Sequence, residues 1–139
     1  MASAVYNSFK RDIMNGSIDL DTDTIKVALV TSSYTPDIDA HEDFADITNE
    51  VSGTGYTAGG ETLTVTVSVD NTDNEGVFDA DNVTWSNSDI TARGAVIYKD
   101  TGTPATSPLV CYIDFTEDKT STDGDFTITW AAEGIINIG

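Results

Sequence analysis

A length of 139 residues suits one domain, 1–139, large enough to bury about two thirds of the surface its unfolded form exposes. Hydrophobic residues at 39% and aromatics at 9% exclude a disordered tail, even at a net charge of -18. The excess of 24 acidic over 6 basic residues excludes direct binding to nucleic acid or an anionic membrane, whose phosphates the domain's field repels.

The opening run, Met1 to Tyr6, has neither the basic nor the apolar stretch of a signal peptide, and no run of about 18 apolar residues follows. The expectation is synthesis in the cytosol and no membrane span. Ser3 to Asn15 reads as a helix, with Val5, Phe9 and Ile13 at i, i+4 and i+8 and Lys10, Arg11 and Asp12 off that stripe. Ser3 is the expected N-cap, and Asn15-Gly16 marks the end.

From Thr24 the period changes to two. Ile25, Val27 and Leu29 alternate with Lys26, Ala28 and Val30, a strand with one face buried and the other at least partly covered. The segment from Ser32 to Gly60 is irregular, with Pro36, a short helical turn over Ala40 to Ile47 and a flexible glycine-rich loop at Gly53 to Gly60. Such an insertion lies over the surface of a compact domain. Leu63, Val65, Val67 and Val69 then alternate with Thr64, Thr66 and Ser68, a strand with one face to the core and one to water. Further strands are expected at Val83 to Trp85, Ala92 to Tyr98, Leu109 to Phe115, Phe126 to Trp130 and Ile135 to Ile138. Between them stand turn-forming stretches at Asn71 to Gly76, Asp100 to Pro104 and Asp118 to Gly124. Regular short strands with one helix predict a mainly β fold, an antiparallel, jelly-roll-like β-sandwich capped by the N-terminal helix.

No constellation for catalysis emerges, so no enzyme, no cofactor and no metal site is expected. Asp19, Asp21 and Asp23 have the spacing that opens a calcium loop. Its sixth position is Thr24 where glycine is needed, and its twelfth is Val30 where a bidentate Glu is needed. Asp70, Asp73, Glu75, Asp79 and Asp81 can gather oxygens, and read more simply as a charged hairpin end. His41, the single histidine, has Glu42 and Asp43 beside it but no nucleophile motif and no second histidine, the pattern of an exposed loop residue. Gly53 to Gly60 lacks the lysine and following helix of a phosphate loop. Cys111, the only cysteine, allows no intramolecular disulfide, and alternates with Leu109 and Ile113 as a buried small hydrophobe does. Trp85 and Trp130 lie in strand-like runs as core residues.

Taken together, Tyr6 to Lys10 with Asn15-Gly16, Asp23 to Val30, Gly76 to Trp85 and Ala95 to Gly102 resemble a family of small tailed-bacteriophage virion proteins, over nearly the whole chain. The resemblance implies a structural part of the particle. The role expected from it is a head decoration or cement protein on the outer capsid surface, bound to the major capsid protein as a homotrimer. A tail or fibre module is the second reading, and a host-glycan-binding domain the third.

Overall fold

A computed structural model describes residues 2–139. The chain is mainly β, in two antiparallel sheets with one helix, as a β-sandwich with a short helix requires. The five-stranded sheet has the order β1-β7-β6-β2-β3, with β1 at Ala4–Val5, β2 at Ile25–Val30, β3 at Glu61–Thr62, β6 at Val83–Lys99 and β7 at Leu109–Ile128. The three-stranded sheet has the order β4-β5-β8, with β4 at Val65–Asp70, β5 at Glu75–Ala80 and β8 at Ile136–Ile138.

Two apolar layers result from the period-two pattern of β2. Its Ile25, Val27 and Leu29 join Ala95, Ile97 and Trp85 in the core between the sheets, to which the second sheet contributes Phe78. Its Ala28 and Val30 point the other way, onto Val96, Tyr98, Leu109 and Tyr112. The irregular segment covers that outer face. Tyr34 is buried there, Ile38, Phe44 and Ile47 pack against it, and the Phe44 ring stacks on Tyr98 at 4.1 Å between centroids. Both faces of β2 are thus covered, as its sequence predicts.

The helix is shorter than expected. Strand β1 occupies Ala4–Val5, and α1 runs over Asn7–Met14. Ser3 is no cap, because its hydroxyl accepts the Asp114 amide at 2.9 Å, across the edge of the five-stranded sheet. Tyr6 takes the N-cap position without a side-chain cap, its own amide bound to Val110 O. With Val5 on a strand, the buried helix face becomes Ser8, Phe9 and Asp12 with Ile13 half-buried, and the Asp12 charge is met by Arg11 at 2.9 Å. The end is as read from sequence: Asn15 caps and Gly16 takes a φ of 78°.

Four expected strands are in fact two long ones. Val83 to Trp85 and Ala92 to Tyr98 are ends of β6, Leu109 to Phe115 is the start of β7, and the strand expected over Phe126 to Trp130 is its other end, which stops at Ile128. The stretch Asp118 to Gly124 is no turn. Register shifts between Trp85 and Ser88, Ser88 and Ile90, and Ala92 and Gly94 absorb the irregular residues, with Asn87, Thr116 and Asp123 at positive φ. Turn-forming residues here serve bulges, which bend a ladder without ending it. The expected 63–69 strand starts later: Leu63 and Thr64 cross over from β3, which pairs with β2, and β4 begins at Val65 and pairs with β5, a strand the sequence reading left out.

Candidate docking surface

The residues singled out from the sequence are mostly engaged within the fold. Asp19 accepts the amides of Asp21 and Thr22, and Asp23 accepts the Asp19 amide at 2.8 Å and Lys99 Nζ at 3.0 Å, which makes a helix-to-strand turn. The Thr22 hydroxyl and these amides hold the Asp19 carboxyl below the usual carboxylate range. His41 is not a free loop residue. Its ring stacks on Tyr34 at 5.7 Å, and its Nδ1 lies 2.9 Å from Tyr34 OH and accepts the Asp37 amide at 3.2 Å. Tyr34 OH in turn sits 2.8 Å from Tyr6 OH, and burial pushes the Tyr34 hydroxyl up to about 12. This chain pins the irregular segment onto the outer face.

The glycine-rich loop is held tightly, against the expectation of flexibility. Glu50 accepts from Tyr56 OH at 2.5 Å and from the Gly59 amide at 2.7 Å, while Tyr98 OH donates to Gly59 O. A Cβ at Gly60 would overlap the Val27 carbonyl, so the loop backbone lies directly against β2. Cys111 is fully buried, and desolvation pushes its thiol up to about 12. Trp85 is a core residue, edge-on to Phe126 at 6.1 Å. Trp130 is half-buried against the core, its Nε1 donating to Asp81 O.

Of the five acids in the second cluster, Asp70, Asp73 and Glu75 converge, with carboxylate oxygens within 4.8 Å of one another. They close the β4–β5 hairpin, where Asp70 and Glu75 are the last pair. Asp70 accepts the amides of Thr72 and Asp73, and Glu75 accepts from Asn137 Nδ2 at 2.6 Å, as in a charged hairpin end.

Next to that end lies a feature absent from the sequence reading. Val65, Val67 and Val69 of β4 stand opposite Ala80, Phe78 and Gly76 of β5, and Phe78 and Gly76 stand opposite Ile136 and Ile138 of β8. Directly opposed residues share a face, so these side chains form one apolar surface across three strands. Its inner part is core, since Phe78 is buried. Its outer part is open to solvent: Val67 is 47%, Val69 72% and Ile138 56% exposed. The half-buried strand expected at 63–69 therefore has its apolar face in the core at Leu63 and in water at Val69. Met14 is the remaining large exposed hydrophobe among the described residues, so three of the four are gathered on this one face. Alternation along β4 and β5 turns Asp70 and Glu75 to the opposite side of the sheet, so the acids lie behind this apolar face. Compared with family models, curated proteins and solved structures, the chain matches none.

Proposed function

We propose that the chain is a structural protein of a tailed-phage virion, a decoration protein that binds the outer surface of the capsid and stabilises it. The observation that carries this reading is where the family-like motifs lie. Tyr6 and Phe9 anchor the helix, Asp23 to Val30 leads into and forms β2, Gly76 to Trp85 runs from β5 into β6, and Ala95 to Gly102 spans the end of β6 and the turn after it. Tyr6, Phe9, Ile25, Val27, Trp85 and Ile97 from these motifs are nearly inaccessible to solvent, so the resemblance rests on residues that build the fold. A part of this kind acts by binding. Anything that binds only the intact shell raises its stability by mass action, and many modest sites add up to a tough particle. Homotrimers on the shell belong to the same proposal: β8 ends its sheet with one free edge, which a neighbouring copy can cover.

The test is to mix the purified domain with shells lacking it, then measure co-sedimentation and resistance to heat. Co-sedimentation with raised heat resistance, and hundreds of copies per virion on a quantitative gel, are the expected results. Binding to isolated tails alone, with a few copies per particle, replaces the decoration reading with the tail reading.

A further inference from the structure

We propose that strand β4 pairs with β4 of a second copy, antiparallel and centred on Val67, so that two three-stranded sheets join into one across a two-fold axis. This goes beyond the decoration reading without resting on it, and uses a different edge from the β8 edge of the trimer. The edges of this fold are not equally protected. Strands β1 and β3 are two residues long and β8 three. Beyond its contact with β1, β7 is bent by an irregular register and by positive φ at Thr116 and Asp123, and carries Glu117, Asp118, Lys119 and Asp125. Strand β4 is the exception. It is the outer strand of its sheet, runs six residues over Val65–Asp70 without a register shift against β5, and has no proline, lysine or arginine. Short length, bulges, prolines and lysines are how sheet edges avoid pairing with other chains, and β4 has none of them.

The backbone that β4 offers follows from the hydrogen bonds around it. Asp81 donates its amide to Thr64 O at 3.0 Å, and Phe78 O accepts the Ile135 amide at 2.7 Å, so Thr64 faces β5 while Phe78 faces β8. Bonding direction alternates along an antiparallel strand, so Val65, Val67 and Val69 turn their amides and carbonyls to the open side. A second copy fits this row because Val65-Thr66-Val67-Ser68-Val69 presents the same pattern in both directions. Centring on Val67 sets Val65 against Val69, Val67 against Val67 and Thr66 against Ser68, and every outward amide and carbonyl finds a partner. The valines, of which Val67 is 47% and Val69 72% exposed, then cover one another on a single face. Charge allows the same register. Residues Leu63 to Val69 are uncharged in a domain that carries -18, and Asp70 falls opposite Thr64 instead of another carboxylate.

The experiment measures the mass of the purified chain by sedimentation equilibrium and the register by disulfide trapping. Mass should rise above the monomer value with concentration, and more so at high salt, which screens the repulsion between two acidic domains. Val67→Lys sets like charges against each other at the axis and should remove that rise while melting as the parent does. Should Val67→Lys melt early, the cysteine variants decide alone. Oxidised glutathione should convert Val67→Cys to a covalent dimer, because paired Val67 residues place their Cα atoms about 5.5 Å apart, within the span of a disulfide. Val69→Cys should stay monomeric although Val69 is the more exposed, because its counterpart lies roughly 14 Å away along the ladder. The native Cys111 is buried and does not compete. A parent that stays monomeric at high concentration and high salt overturns the proposal. So does Val67→Lys associating as the parent does, an outcome that leaves the β8 trimer standing. Val69→Cys crosslinking as readily as Val67→Cys overturns the register and the two-fold pairing with it. None of these results bears on shell binding, which co-sedimentation decides separately.

Discussion

Replacing Phe9 by Ala removes the residue that ties the helix to the sandwich. Phe9 is 1% exposed and belongs to the core between the sheets, while its helix neighbour Ile13 is only partly buried. Eight residues, Asn7–Met14, are too few to stay helical alone, and the N-cap lacks a side-chain bond, so α1 persists because Phe9 is buried. Truncating a fully buried Phe costs about 3–5 kcal/mol, from lost transfer energy and the cavity left behind. For a domain of this size that lowers Tm by roughly 10–15 °C, at about 3 °C per kcal/mol. Thermal denaturation followed by far-UV circular dichroism reads the shift, with Met14→Ala as the control: Met14 is 81% exposed and its loss should change stability by no more than about 0.5 kcal/mol. If Phe9→Ala melts with Met14→Ala, the helix is held by something other than this side chain and the argument fails.

Three further perturbations follow from the packing and the ionisable groups. Gly16 and Gly60 share a φ of 78°, but only at Gly60 would a Cβ strike backbone, so Gly16→Ala should cost about 1–2 kcal/mol for the left-handed conformation and Gly60→Ala roughly 1–3 kcal/mol more; equal urea midpoints would refute the close approach of this loop to β2. Burial raises the hydroxyls of all five tyrosines, Tyr6, Tyr34, Tyr56, Tyr98 and Tyr112. Their folded values lie above the unfolded one, so their contribution is complete below about pH 10 and lost above it; phenolate absorbance should rise together with unfolding, and a separate early titration near pH 10 would contradict the burial. Asp46 and Asp100 are held below the usual carboxylate range, chiefly by the amides of Glu42 and Gly102, so the stability they add is present above about pH 4 and lost as pH falls further; Asp46→Asn and Asp100→Asn should reduce that acid sensitivity, measured as the slope of the urea midpoint against pH.

Where local pattern and tertiary packing agree, the fold is legible in the sequence. The two-sided apolar run at Ile25 to Val30 can only sit between two layers, and the structure puts a core on each side of it. Asn15-Gly16 ends the helix for local reasons alone, and Asn71 to Asn74 ends β4 likewise. The errors arise where one residue type serves two purposes. Asn87 and Asp123 take positive φ in a hairpin turn or a bulge equally well, so turn chemistry cannot tell a strand's end from its bend. The Val5, Phe9, Ile13 stripe also fits two structures, because Val5 satisfies a helical period while lying on β1.

The exposed apolar face was hidden for a different reason. Alternation states which side of a strand is apolar, but not how far the opposing layer reaches. Leu63, Val65, Val67 and Val69 read as equivalent in sequence, yet exposure rises toward the hairpin end, from 6% at Leu63 to 72% at Val69. The signal present in the sequence was the hairpin end itself. A turn carrying Asp70, Asp73 and Glu75 must reach water, and Val69 is adjacent to it, so Val69 could not lie deep in a core. An apolar residue beside an obligatorily solvated turn is under no folding pressure to be valine, for threonine or serine would hold the same strand. Period two therefore places Val69 and Ile138 on the core-facing side of their sheet, while their 72% and 56% exposure is set by how far the core extends.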